Sequence, residues 1–206
     1  MLNPTDFGYG SFAFNWGDHI CAIFDDHAQQ MEVMRPFVSA GIQLGQRCVW
    51  VSSSPSADAL RQMLHDMGGD VLTLEASGQL LILSEPGFYL YEGIFEPERT
   101  MDLLRALLSD NQRQGYAAMR IANDVSWTGR ERVDADLWQE FESRLTGGVA
   151  GLPLCLVCQY DRRQVPGSIV VAAMRTHPAV ILGTSFRLNP FYEPVRADRS
   201  GGREVV

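Results

Sequence analysis

Apolar runs of strand length alternate with stretches of helical period along most of the chain. HICAIF (19–24) leads through a polar turn into residues of helical spacing at about 28–43, and RCVWVSS (47–53) follows. The same alternation places strands at about 80–84, 117–122 and 152–159, with a C-terminal pair near 179–188. Helices are predicted at about 56–67, 97–114, 134–146 and 167–176. Such alternation predicts an α/β protein whose mainly parallel sheet is covered on both faces. The helix at 97–114 is the clearest. Met101, Leu104, Leu107 and Leu108 form one stripe, Asp102, Arg105 and Asp110 lie off it, and Pro97 suits its first turn.

SEPGFYLYEGIFEPE (84–98) breaks the pattern with two prolines, two glycines and the aromatics Phe88, Tyr89, Tyr91 and Phe95. It reads either as a packed connection or as a lid over a pocket. Residues 1–16 form an N-terminal extension, 17–192 the domain, and 193–206 a polar tail expected to be mobile.

With 206 residues, 46% hydrophobic and 20% charged, the chain suits one domain with a real core. A net charge of -8 repels polyanions, so direct nucleic-acid binding is not expected. All 17 cations are Arg, which excludes Schiff-base chemistry and a P-loop lysine. The first residues lack the basic start and apolar core of a signal peptide, and no run approaches the roughly 18 apolar residues of a membrane span. A cytoplasmic protein without membrane contact is expected, with Cys21, Cys48, Cys155 and Cys158 as reduced thiols.

After the first strand, where a P-loop carries glycines, Lys and Ser or Thr, the chain has DDHAQQ (25–30). Asp25 and Asp26 suit a helix cap and would repel a phosphate there. His19 and Cys21 share a strand face, and with CLVC (155–158) they would offer soft-metal ligands. A C-x-x-C inside a strand, however, sends its sulfurs to opposite faces. Buried thiols and a hydrogen-bonded His are the simpler reading, and neither a metal nor another cofactor is expected. The surroundings LPLCLVCQY are strand-like, whereas a thioredoxin-type dithiol belongs at a helix N-terminus. There is no G-x-S-x-G elbow, and spacing alone brings no two of Glu85, Asp124, Glu142 and Asp161 together, so a non-enzymatic role is expected. The predicted strand ends carry Phe24-Asp25, Ser52-Ser53-Ser54, Ser84-Glu85, Asn123-Asp124 with Trp127, and Gln159-Tyr160-Asp161. Ligands of open parallel sheets bind there, and this mixture suits a small organic molecule, although each residue alone would also cap a turn.

DHICAIFDD, FVSAGIQLGQRCVWVSS, MRIANDVSW, FESRL, LCLVCQYDRRQVP, HPAVILG and NPFY, in that order, resemble the MEDS domain family over nearly all of 17–192. That family is the DcmR-type sensory domain, a degenerate relative of the RecA and KaiC ATPase fold. The resemblance implies a three-layer RecA-like fold that has lost its P-loop and senses small hydrocarbon-derived ligands. It marks His19, Trp127, Glu142, Cys158, Tyr160, Asp161, His177 and Pro178. With the strand-end reading, the candidate ligand-binding set is His19, Cys21, Phe24, Asp124, Trp127, Glu142, Cys158, Tyr160, Asp161 and His177. The second strand commonly starts after Gly-Glu in the family; here Gly45-Gln46-Arg47 leaves the acid's role unfilled. No helix-turn-helix or kinase segment accompanies the matched pieces. Output is therefore expected through a signalling partner, such as a histidine kinase, anti-sigma factor or transcription regulator, or through a homodimer. The alternatives are an interaction adaptor without a small ligand, and a metal-dependent enzyme using His19, Cys21, Cys158 and His177.

Overall fold

In the computed structural model, residues 3–52 and 54–194 are described. β1 (His19–Phe24) is followed by α1 (His27–Gln43), β2 (Arg47–Ser52), α2 (Ser54–Asp66), α3 (Val71–Ala76) and β3 (Leu80–Ser84). Then come α4 (Glu85–Tyr89), the short strands β4 (Leu90–Tyr91) and β5 (Ile94–Phe95), α5 (Pro97–Arg113), β6 (Met119–Asp124) and α6 (Trp127–Arg130). α7 (Ala135–Val149), β7 (Leu154–Asp161), α8 (Gly167–Thr176), β8 (Ala179–Leu182) and β9 (Ser185–Leu188) complete it. Seven strands form one sheet in the order β3-β2-β6-β7-β1-β8-β9, parallel except for the final β8–β9 hairpin.

Strand alternation divides the interior in two. Ile20, Ala22, Cys155 and Val157 face a layer built by α1, α2 and the N-terminal segment, in which Phe7 and Phe14 are buried. Cys21, Leu156, Cys158 and Tyr160 face the layer of α4 to α8. β1 and the first five residues of β7 are buried on both faces and largely apolar, as a doubly covered parallel sheet favours, whereas β6 is equally buried but carries Arg120, Asn123 and Asp124. Asp26 caps α1, its carboxylate accepting from the Gln29 amide at 2.9 Å, and Asp25 pairs with Arg162 at 2.6 Å.

Several sequence boundaries shift. β6 and β7 each run two residues beyond the predicted ends, because Asn123, Asp124, Tyr160 and Asp161 stay in the ladder although their polarity suggested loop. α3, α4 and α6 were not predicted; at four to six residues they are too short to show a period. Ser53 and most of the predicted tail, 195–206, lie outside the described residues. Among the described residues no helix is long and apolar enough to cross a membrane.

Candidate functional site

β1 lies between β7 and β8, with Cys21 beside Cys158 in register. This places His19, 139 positions from Cys158, on the same side of the sheet. α7 supplies Glu142 from an apolar stripe that also holds Trp138, Phe141, Leu145 and Val149. α8 ends at Thr176, and His177 is its C-cap residue. One ligand atom from each of His19, Glu142, Cys158 and His177 lies within 4.8 Å of the others, and all four residues are buried.

The contacts are specific. His19 Nε2 is 3.3 Å from both Cys158 Sγ and Glu142 Oε2, and His177 Nε2 is 3.6 Å from that same oxygen. Tyr160 donates its hydroxyl to Glu142 Oε1 at 2.9 Å. The outer nitrogens of both rings are anchored: His19 Nδ1 lies 2.8 Å from Thr146 Oγ1, and His177 Nδ1 lies 2.8 Å from the Ala173 carbonyl. Glu142 Oε2 and His177 Nε2 have no hydrogen-bond partner. Burial disfavours every charged form here. It pushes the Glu142 carboxyl up to about 8 and the His177 imidazole down to about 4, holds His19 well below its usual value, and raises Cys158 and Tyr160.

An aromatic wall continues from this cluster. Trp138, beside Tyr160, packs edge-on to Trp127 at 5.7 Å, and Tyr89 lies 5.0 Å from Trp127. Phe95 and Phe141 close the group. Tyr89 Oη and Trp127 Nε1 are buried without hydrogen-bond partners, and Trp138 Nε1 faces the Tyr160 hydroxyl. Alongside is a cavity of about 10 Å³, bordered by Tyr89, Asn123, Phe141 and Leu156, room for roughly one water. Glu85 at the start of α4 pairs with Arg130 of α6, tying the 85–95 segment to the wall.

Of the ten candidates, five converge: His19, Glu142, Cys158, Tyr160 and His177. Cys21 lies beside them on β1, and Trp127 belongs to the aromatic wall. The strand-end grouping does not extend to the other three. Phe24 faces the opposite layer. Asp124 accepts from the Ser126 amide at 2.9 Å, and Asp161 is held by Arg163 and Gln164. Cys155 faces away from Cys158, as strand alternation predicts. Sequence reasoning missed Trp138 and left Tyr89 as one aromatic among four. The signal for Trp138 was its place on the stripe that carries the buried Glu142. Wider pockets lie elsewhere, about 380 Å³ between β3, α4 and α5, and about 570 Å³ between α8 and residues 190–193.

Residues 18–178 match the family described as MEDS: MEthanogen/methylotroph, DcmR Sensory domain. The transcriptional repressor DcmR of Methylorubrum extorquens is 24% identical over 161 residues, covering 78% of this chain and 58% of the repressor. The chain thus matches a little over half of that relative's length. The crystal structure of a KaiC-like protein from Pyrococcus horikoshii OT3 superposes with a TM-score of 0.57 at 14% identity, over 87% of this chain and 80% of that one. This likeness establishes the three-layer, KaiC-like α/β fold. The sensory description of the family, carried by most of this chain, gives it a regulatory role: the protein belongs to the MEDS family of sensory domains.

Proposed function

We propose that this sensory domain binds a small, weakly polar organic molecule of hydrocarbon origin in the layer between the sheet and α4 to α7, and passes its bound state to a signalling partner. One observation carries the reading. Tyr89 Oη and Trp127 Nε1 are buried donors without acceptors in the aromatic wall, and Tyr89 borders a cavity too small for a guest. Unsatisfied buried donors are costly, and a guest with one acceptor and an apolar body would relieve them. Making room requires the 85–95 segment to shift, and a guest that favours the shifted arrangement changes its population. The same reading has the domain without ATP binding, since the β1–α1 turn offers Asp25 and Asp26, both engaged, where a phosphate cradle would need glycines and a cation.

The test is titration of the full chain with C1 to C4 alcohols and chlorinated alkanes, followed by tryptophan fluorescence. Saturable change is expected for some member of the panel, and Trp127→Ala should weaken its binding by about 1 kcal/mol or more. No saturable response across the panel would sink the small-ligand reading. In its place would stand an adaptor without a ligand, which one observation favours: Val171, Leu188 and Phe191 are apolar and exposed near the β8–β9 end of the molecule.

A further inference from the structure

We infer that His19, Glu142, Cys158 and His177 form a four-ligand site for a divalent transition-metal ion of the zinc type. The inference stands apart from the small-molecule reading, since its residues and its readout are different.

The tautomers follow from the neighbours. Thr146 donates its hydroxyl proton to the Thr176 carbonyl at 2.8 Å, so toward His19 Nδ1 it accepts. His177 Nδ1 faces the Ala173 carbonyl, which only accepts. Both rings therefore carry their proton on Nδ1, and both Nε2 lone pairs point into the cluster. Anchoring the outer nitrogen on an oxygen is how metal-binding histidines are oriented. The cluster's other two members, Cys158 Sγ and Glu142 Oε2, are also electron-pair donors.

Protons alone leave this arrangement incomplete. A Cys158 thiol proton satisfies His19 Nε2 at 3.3 Å, but the 3.6 Å from His177 Nε2 to Glu142 Oε2 is too long for a hydrogen bond. His177 Nε2 has no other partner, and the other close neighbour of Glu142 Oε2, His19 Nε2 at 3.3 Å, offers a lone pair that the thiol proton already takes. A cation between His177 Nε2 and Glu142 Oε2 satisfies both at once.

Geometry and charge select the ion. With metal–ligand bonds of about 2.0–2.3 Å, the edges of a tetrahedral N/O/S site are roughly 3.3–3.6 Å. The cluster already shows 3.3, 3.3 and 3.6 Å for three of its edges. Two neutral imidazoles, one thiolate and one carboxylate carry two negative charges together. A divalent ion makes the buried set neutral, as an apolar layer demands. Thiolate and imidazole favour zinc-like ions over magnesium or calcium, and Tyr160 holds the second carboxylate oxygen of Glu142. The sequence-based metal alternative named His19, Cys21, Cys158 and His177; the structure has Glu142 in the set instead of Cys21. Cys155 points to the other layer, as strand alternation anticipates.

The full chain, unfolded with chelator and refolded with Zn²⁺ or Co²⁺, should retain about one equivalent of metal through dialysis. Its cobalt form should show a thiolate-to-metal charge-transfer band and a tetrahedral ligand-field spectrum. Cys158→Ser should lose that band, and His177→Ala should retain at most about a tenth of the metal, whereas Cys155→Ser should match the parent. Parent protein holding less than about a tenth of an equivalent would overturn the site, as would equal loss in Cys155→Ser and Cys158→Ser. Should Cys158→Ser fail to fold, the parent's cobalt spectrum decides: absence of the thiolate band refutes the assignment.

Discussion

Glu142 shows how far single residues were legible. A carboxylate between Phe141 and Leu145 on an apolar stripe signals a buried polar contact, but nothing local names its partners: Tyr160 is 18 positions away and His19 lies in the first strand, far off along the chain. Tyr160→Phe removes the donor to Glu142 Oε1 and leaves that oxygen dry. A loss of about 1–3 kcal/mol in urea unfolding is expected, and an unchanged midpoint would show the bond to be dispensable. Asp161 was singled out for a ligand, yet its partners lie within three residues. The Arg163 guanidinium, donating to both of its oxygens at 3.0 and 2.7 Å, pulls its carboxyl down to about 2. A folded value below the unfolded one stabilises the fold above the ordinary carboxylate range, and this contribution fades as pH falls through about 2. In Arg163→Ala the Asp161 carboxyl should titrate closer to the ordinary aspartate value, read from its carbon-13 shift against pH. Titration unmoved from the parent's would mean that Gln164 and the backbone hold it instead.

Elements of ten residues or more announced themselves through period, and most began within two residues of the expected place. The 85–95 segment did not, because it folds as a five-residue helix and two-residue strands, each too short to show a period. Phe88, Tyr89 and Phe95 are buried, whereas Tyr91 and Ile94 face solvent. The choice between packed connection and lid dissolves: the segment packs, but by few elements of its own. β4 and β5 pair only with each other, and the ion pair from Glu85 to Arg130 provides a fastening to α6. Local opening should therefore cost less here than in β1, β6 or β7. Arg130→Ala leaves a nearly buried carboxylate without its counter-charge and should speed amide exchange in 85–95 about tenfold or more, the equivalent of about 1.4 kcal/mol, with exchange in β7 unchanged. Uniform acceleration across the sheet would instead assign Arg130 a global role.

Across the whole molecule, the strand order could not be read from periodicity, and it is the strand order that makes the site. Only with β1 inserted between β7 and β8 does His19 meet Cys158 and His177. The same sheet separates two unlike layers, and the layer opposite the site holds a cation. Arg120, the second residue of β6, is fully buried and donates to Gln46 Oε1, to the Phe37 carbonyl and to the carbonyls of Asp6 and Phe7. Its guanidinium lies 5.1 Å from the rings of Phe14 and Phe37. None of these hydrogen-bond partners is a carboxylate, so carbonyl dipoles and ring faces carry the charge. Gln46 accepts from Arg120 and donates to the Pro4 carbonyl at 2.7 Å, a double role that the Glu expected there from the family resemblance could not fill as a carboxylate. Arg120 and Gln46 thus clasp the N-terminal segment to the sheet. Arg120→Met keeps the volume but strips the donors from several buried oxygens, and a loss of about 1–3 kcal/mol is expected. Because two of the lost contacts are those holding residues 6 and 7, limited proteolysis should first cut the variant within 3–16 while the remainder stays protected. If the variant lost stability but its N-terminal segment remained as resistant as the parent's, Phe7 and Phe14 would be sufficient to hold that segment, and Arg120 would serve only the sheet.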